Sequence, residues 1–186
     1  SWGSGEEGQL GHGDEQKQRL PRKVEALAGQ RVVTVSAGGT HSLALTADGA
    51  VGRWGPGGEL GHGDEQSQLL PKKIEALAGR RVVAVSAGLY HSIAITADGA
   101  VWSWGSGYFG KLGHGDAQRQ PQPKKIEALA GQRVVAVSAG YSLSLAIAAD
   151  GAVWSWGRGE DACLGHGEDQ SHQLLPKKVE ALAPGQ

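Results

Sequence analysis

Four histidines recur in one setting. His12, His62, His114 and His166 each sit in a Leu-Gly-His-Gly run followed by an acid, Asp14, Asp64, Asp116 or Glu168. Histidine and carboxylate together are the raw material of a zinc site or of acid–base chemistry. Spacing argues against both. The leucines that open the runs, Leu10, Leu60, Leu112 and Leu164, lie 50, 52 and 52 residues apart. Zinc holds its ligands at about 2 Å, whereas a period of this length hands one histidine to each unit of a repetitive body. The expectation is that each histidine hydrogen-bonds its own glycine-rich turn and that each acid accepts from nearby backbone amides. Neither a metal nor a cofactor is expected.

The remaining reactive residues lead to the same reading. His41 and His91 occupy a second phase of the repeat, where the third copy has Leu143, and they read as structural hydrogen-bonders. Cys163 occurs once, at a phase held elsewhere by Gln9, Glu59 and Lys111, and reads as an incidental thiol. A single cysteine permits no internal disulfide and fits a reducing compartment. No glycine-rich stretch has the lysine and strand–helix setting of a phosphate loop. The paired acids Glu6-Glu7, Asp14-Glu15, Asp64-Glu65, Glu160-Asp161 and Glu168-Asp169 fall in loops and read as solvated. No catalytic constellation results, and the chain reads as a non-enzyme.

The elements that carry these residues are short strands. Each period has two halves. Residues 1–30, 53–80, 103–132 and 155–186 hold the glycine-rich anchor and a proline-basic segment; residues 31–52, 81–102 and 133–154 hold a pair of hydrophobic strands. Arg31-Val32-Val33-Thr34-Val35-Ser36 is rich in β-branched residues and predicts a strand. Thr40-His41-Ser42-Leu43-Ala44-Leu45-Thr46 alternates, with Leu43 and Leu45 on one face. Ala47-Asp48-Gly49-Ala50 predicts a hairpin turn. Val101-Trp102-Ser103-Trp104 predicts a third strand, and Lys72-Lys73-Ile74-Glu75-Ala76-Leu77 a fourth, followed by a turn. Ser36-Ala37-Gly38, Ser86-Ala87-Gly88 and Ser138-Ala139-Gly140 are expected near a central axis, where small residues allow close approach. Trp2, Trp54, Trp104 and Trp156 share a phase and are expected to pack between units, their indole N–H groups partnered. Trp102 and Trp154 lie two residues earlier, at a phase that Gly52 fills in the second repeat. Four strands per period match a propeller blade. The fold class is therefore all-β, an array of about three and a half four-stranded blades treated as one domain over 1–186.

Bulk properties set further bounds. The 186 residues carry a formal net charge of −1, which argues against a general nucleic-acid binder. The longest apolar patches run about six to eight residues, against the roughly 20 that a membrane span needs. Glycine numbers 31, without the strict triplet order of collagen. The charges follow the repeat. Acids lie in the glycine-rich loops, whereas Arg22-Lys23, Lys72-Lys73, Lys124-Lys125 and Lys177-Lys178 follow each proline, and Arg31, Arg80-Arg81 and Arg133 open the next strand. Opposed acidic and basic rims, suited to steering a charged protein partner, would follow from this arrangement. Ordinary solubility charge is the alternative.

The WSWG–LGHGD anchor, followed by Val82-Val83-Ala84-Val85-Ser86-Ala87-Gly88 or its copies and by His41-Ser42-Leu43-Ala44-Leu45, resembles the RCC1-like repeat family, the regulator-of-chromosome-condensation repeat. The resemblance runs over essentially the whole chain. It implies a seven-bladed propeller whose ends complete one blade together. With about half that number of repeats, the chain reads as a piece of a larger ring, a short module, or half of a homodimeric propeller. Two copies would supply eight anchors but only six valine-rich strand pairs, so such a ring would join imperfectly. Open blade edges invite pairing with another chain, so a homo-oligomer and a monomeric open array both stand as expectations.

For function, the first expectation is a protein-interaction or scaffold module in the cytoplasm or nucleus. Residues that differ at equal repeat phases are its candidate contacts: Tyr108, Phe109 and Lys111, against Gly58 and Glu59, together with Glu160 and Asp161. Lys72 and Lys73 represent the basic rim. The resemblance also implies guanine-nucleotide exchange on a small GTPase, through an inserted wedge loop for which no long insertion is visible. It further implies chromatin contact through basic and loop residues. A related plant ultraviolet-B photoreceptor subfamily carries Gly-Trp-Arg-His-Thr after Ser-Ala-Gly. Here those places read Gly39-Thr40-His41, Leu89-Tyr90-His91 and Tyr141-Ser142-Leu143, so that signature is absent from every copy.

Overall fold

The computed structural model describes residues 1–57, 61–63 and 66–182. Among them, twelve strands form three four-stranded antiparallel sheets, each built from consecutive strands. The first holds β1 (Val32–Ala37), β2 (Ser42–Thr46), β3 (Val51–Gly55) and β4 (Gln68–Lys73). The second holds β5 (Val82–Ala87), β6 (His91–Thr96), β7 (Val101–Gly105) and β8 (Gln120–Lys125). The third holds β9 (Val134–Ala139), β10 (Leu143–Ala148), β11 (Val153–Gly157) and β12 (Gln173–Lys178). These are consecutive blades of a partial propeller. Residues 1–22 repeat the outer half of a blade, since Gly3 pairs with Gln18 as Gly55 pairs with Gln68.

Local chemistry accounts for the strands and their ends. In β2, Leu43 and Leu45 are fully buried on one face, as alternation requires. The hairpin between β2 and β3 turns on Asp48-Gly49: Gly49 has φ +85°, and the Thr46 and Ala50 backbones close it. The expected fourth strand is shifted. It begins at Gln68 and ends at Lys73, and Glu75–Leu77 forms a single 3₁₀ turn instead of strand. The Glu-Ala-Leu helical preference wins for one turn, and the glycine that follows stops it.

Blades meet through their flat faces. Leu43, Leu45, Val51, Ile74 and Leu77 of the first blade pack with Val82, Val85, Ala87, Ala94 and Trp104 of the second. Ile93, Ile95, Val101, Ile126 and Leu129 meet Val134, Ala146 and Trp156 in the same way one joint later. The innermost strands are also laced directly. The Gly39 N–H donates to the Gly88 carbonyl at 3.1 Å, and the Leu89 N–H to the Gly140 carbonyl at 3.3 Å. In return, the Ala87 and Ala139 amides donate to Ser36 Oγ and Ser86 Oγ at 3.0 and 2.9 Å. A side chain at Gly38 would strike the Gly88 carbonyl, so the small Ser-Ala-Gly steps are what let the inner strands touch.

Candidate interaction surface

Three of the anchor histidines reach a serine eleven residues earlier: His12 to Ser1, His114 to Ser103 and His166 to Ser155, all at 3.0 Å. Those serines donate to the carbonyls of Leu10, Leu112 and Leu164 at 2.6–2.7 Å. The serine proton is thereby committed, so the histidine must present Nε2–H to the oxygen. Burial, with Lys124 nearby, depresses His114 to about 4. At the second anchor, Arg53 stands at the serine phase with its side chain fully buried, and His62 has contacts of its own. No group of three or more His, Cys, Asp or Glu among the described residues is placed to hold a metal.

The second histidine phase links blades. His41 Nε2 meets Ser92 Oγ at 3.0 Å, and His91 Nε2 meets Ser144 Oγ at 2.9 Å, each across a joint. Burial lowers both pKa values, His91 to about 3, and the Arg53 charge adds to each shift. Leu143 ends this series in the third blade.

The tryptophans plug into the anchor loop of the preceding repeat. Trp54 Nε1 donates to the Gln9 carbonyl at 2.8 Å, and Trp156 Nε1 to the Lys111 carbonyl at 2.9 Å. The indoles lie against Gly11 and Gly113, and Trp104 lies likewise against Gly61; a Cβ at any of the three would crowd the ring at 2.7–3.0 Å. These glycines have φ +75° to +79°, so both backbone and space demand glycine. The carbonyl equivalent to Gln9 and Lys111 in the second repeat belongs to Glu59, outside the described residues, as are Leu60, Gly58, Asp64 and Glu65. Trp2 departs from the expectation for its phase, being 64% exposed, while Trp54, Trp104 and Trp156 are 0–4% exposed.

This socket role removes Lys111 from the candidate contacts. It is 2% exposed, its carbonyl receives both Trp156 and Ser144, and its Nζ lies 5.9 Å from the Tyr90 ring. Tyr108 and Phe109 precede it on a loop that leans on β12, and they stay outside, 73% and 38% exposed. The two-residue step sits at the same loop phase as Glu6-Glu7 and Glu160-Asp161, and the second repeat lacks it, which explains the shorter 50-residue spacing. Phe109 and Asp161 both have left-handed backbone, φ +63° and +58°, a conformation rare for side-chain-bearing residues.

Two partners that sequence alone did not single out complete this patch. His172, at the start of β12, meets the Phe109 ring edge-on at 4.9 Å, and the Arg158 guanidinium lies 6.0 Å from the same ring. Arg158 is tied to Glu160 through its Nε at 2.8 Å and also through Nη2, and it lies 3.9 Å from Asp161. The Gly159 N–H donates to His172 Nδ1 at 3.2 Å, which directs the other ring nitrogen to Glu160, 4.0 Å away. Tyr108, Phe109, His172, Arg158, Glu160 and Asp161 thus make one exposed aromatic and charged patch spanning two anchor loops. Exposed Cys163, whose Sγ donates to the Arg158 carbonyl at 3.0 Å, borders it.

Charge is less segregated than the repeat phases imply. Arg22 pairs with Asp14 at 3.5 Å and Lys177 with Asp169 at 2.6 Å, so part of the basic set is spent on anchor acids. Lys73 lies with Asp48, Arg80 and Arg81 around one open pocket at the hairpin end, and Lys72 and Lys73 are exposed. Arg80 also caps Trp102, 4.1 Å above its ring. Asp14 and Asp116 accept the amide two residues on, as expected. In the fourth repeat Asp169 does so instead of Glu168, because that loop is one residue longer.

Comparison with known proteins agrees with this architecture. The family model for the RCC1-like domain matches residues 1–186. The human E3 ubiquitin-protein ligase HERC2 is 45% identical over 98% of the chain, which spans 4% of that protein. The ultraviolet-B receptor UVR8 of Arabidopsis thaliana is 37% identical over 98% of the chain, which spans 30% of the receptor. Among solved structures, human WBSCR16 superposes with a TM-score of 0.86 at 27% identity, over 96% of this chain and 47% of that one. Prp20p of Saccharomyces cerevisiae gives 0.82 at 26%, over 96% and 45%. The chain therefore spans less than a third of these curated relatives and about half of these solved ones.

Proposed function

The chain belongs to the RCC1-like domain family, whose domains typically mediate protein–protein interaction, and on that premise we propose that it is a non-catalytic module that recognises a protein partner through the patch around Tyr108 and Phe109. One observation carries this reading: two neighbouring aromatics stand exposed on a left-handed loop, propped by His172 and Arg158 rather than folded into the core. Preorganised aromatics beside an arginine are the composition of binding hot spots. Glu160 and Asp161 give the patch a charged border that sets orientation. The test is affinity capture, with the captured protein identified and then bound in pure form. Tyr108→Ala with Phe109→Ala should weaken binding at least tenfold at unchanged melting temperature, a loss of about 1.4 kcal/mol. Binding unchanged by that pair, but lost on charge reversal of Lys72 and Lys73, would move the contact to the basic strand.

A second reading takes its support from Prp20p, which was characterised for binding to Gsp1p and histones. On that reading the partner is a small GTPase or a histone. Accelerated release of a fluorescent guanine nucleotide from such a GTPase would favour the first, and salt-dependent histone binding the second.

A further inference from the structure

Two pockets of like build open at the hairpin end of the blade joints, the end of the strands away from the Tyr108–Phe109 loop. Between the first and second blades, Asp48, Lys73, Arg80 and Arg81 ring a space of about 300 Å³ over the buried Val51 and Ile74. Between the second and third, Asp98, Lys125, Gln132 and Arg133 ring one of about 250 Å³ over Val101 and Ile126. The walls of the first are sewn together across the joint: the Val82 N–H donates to the Gly49 carbonyl at 3.4 Å, and the Ala97 N–H to the Arg81 carbonyl at 2.8 Å. The two pockets differ in charge. Three cations face one carboxylate in the first, and two face one in the second. Asp48 is engaged inside its own turn, accepting from the Thr46 hydroxyl and the Ala50 N–H. In the second pocket Lys125 lies 3.8 Å from Glu127, outside the ring. Among the described residues, no hydrogen bond or ion pair takes up the charged ends of Lys73, Arg80 and Arg81. Arg80 is nonetheless held in place, its guanidinium 4.1 Å from the Trp102 ring centroid. At the same phases the neighbouring joints pair Gln30 with Gly52 and Gln132 with Trp154.

We propose that the pocket between the first and second blades receives a phosphorylated serine or threonine on a segment of a protein partner. A phosphoryl group brings a charge of about −1.5 to −2 and three strong acceptor oxygens. Three cations over one engaged carboxylate match that charge, whereas the second pocket has only enough for a single carboxylate. A guanidinium stacked on an indole keeps its N–H edge free and pays little to be ordered, and its planar fork fits phosphate oxygens two at a time. The apolar floor shields these contacts from water. The source is a protein segment because the chain as a whole carries a net charge of −1, without the basic excess that holds a polyanion such as DNA. The site lies away from the Tyr108–Phe109 patch and stands apart from that reading.

The test is a titration of the isotopically labelled whole chain with a pool of phosphoserine-centred peptides of degenerate flanks, followed by the indole N–H signals of Trp102 and Trp154 in nuclear magnetic resonance spectra. The Trp102 signal should move saturably, at peptide concentrations at least tenfold below those that move Trp154. The unphosphorylated pool, and a pool with glutamate at the centre, should each need at least tenfold more peptide. Arg80→Gln, which places there the residue found at this phase in the neighbouring repeats, should weaken binding at least tenfold. Asp48→Asn, which keeps the chemistry of the turn, should tighten it. Tyr108→Ala with Phe109→Ala should bind the pool as the parent does. No saturable movement at Trp102, equal movement at both indoles, equal affinity for the glutamate pool, or parental binding by Arg80→Gln overturns the proposal. Tighter binding of a short DNA duplex at the same signal would assign the pocket to nucleic-acid phosphate and overturn it too. Should Arg80→Gln fail to fold, Lys73→Gln, at an exposed position, reads the same contact and should weaken binding; parental affinity there would count against the proposal.

Discussion

Replacing Gly113 with alanine tests the plug-and-socket joint inside the chain. Two costs add there. The left-handed backbone at φ +77° costs an alanine about 1–2 kcal/mol. The new Cβ would also stand 3.0 Å from Trp156 Nε1 and 3.2 Å from Pro176 Cδ, and such overpacking costs about 1–3 kcal/mol. Gly131→Ala isolates the first cost, because Gly131 has φ +84° with nothing within 4 Å of its Cβ position. Denaturant unfolding followed by tryptophan fluorescence should therefore rank Gly113→Ala below Gly131→Ala by about 1–3 kcal/mol. In a chain of this size that is roughly 2–12 °C in melting temperature, at about 2–4 °C per kcal/mol. Gly165→Ala, with the same left-handed backbone and only Val179 near its Cβ position, should lose little more than Gly131→Ala. Equal losses at Gly113 and Gly131 would show that the indole does not rest on that glycine, and the account of the joints would fall with it.

Two further outcomes follow from the buried serines and histidines. Ser155→Ala strands the Leu164 carbonyl and His166 together, and should cost about 1–3 kcal/mol by chemical denaturation; a loss near zero would mean that water takes over both bonds. Acid should destabilise the fold before the carboxylates titrate. Above about 6.5 the buried histidines are neutral in both states, so stability is flat. As pH falls from 6.5 toward about 4 for His114 and about 3 for His91, the unfolded chain takes protons that the folded chain refuses, and stability declines. His91→Asn should make that decline shallower when the unfolding midpoint is followed through this window, and an unchanged slope would refute the assignment.

The repeat, the strands and the blade architecture are legible because they are periodic. Leu-Gly-His-Gly fixes the phase, and alternation at Leu43 and Leu45 fixes the buried face. What escapes a reading of the letters is set by neighbours far along the chain. Lys111 looks like a surface cation, but it sits, like Gln9, where the backbone carbonyl receives a tryptophan 45 residues later, and it is buried there. Arg158 and His172 give no local signal, because Phe109 reaches them only once two blades pack. Arg53 is similar: a charged residue at a serine phase, it is nevertheless fully buried. The role of Asp169 is written in the one-residue longer loop, which moves the amide-accepting phase from Glu168 to Asp169.

The way inner strands exchange amide and serine bonds only with their immediate neighbours bears on how such a molecule changes over generations. Among the described residues, each of these seam bonds joins adjacent units. Duplicating or deleting a whole unit therefore leaves every surviving seam chemically whole, whereas altering a single glycine or serine in a seam damages it. The seams thus repeat the same glycine and serine letters, whereas the loop phase of Glu6-Glu7 holds Tyr108-Phe109 in one copy and Glu160-Asp161 in another.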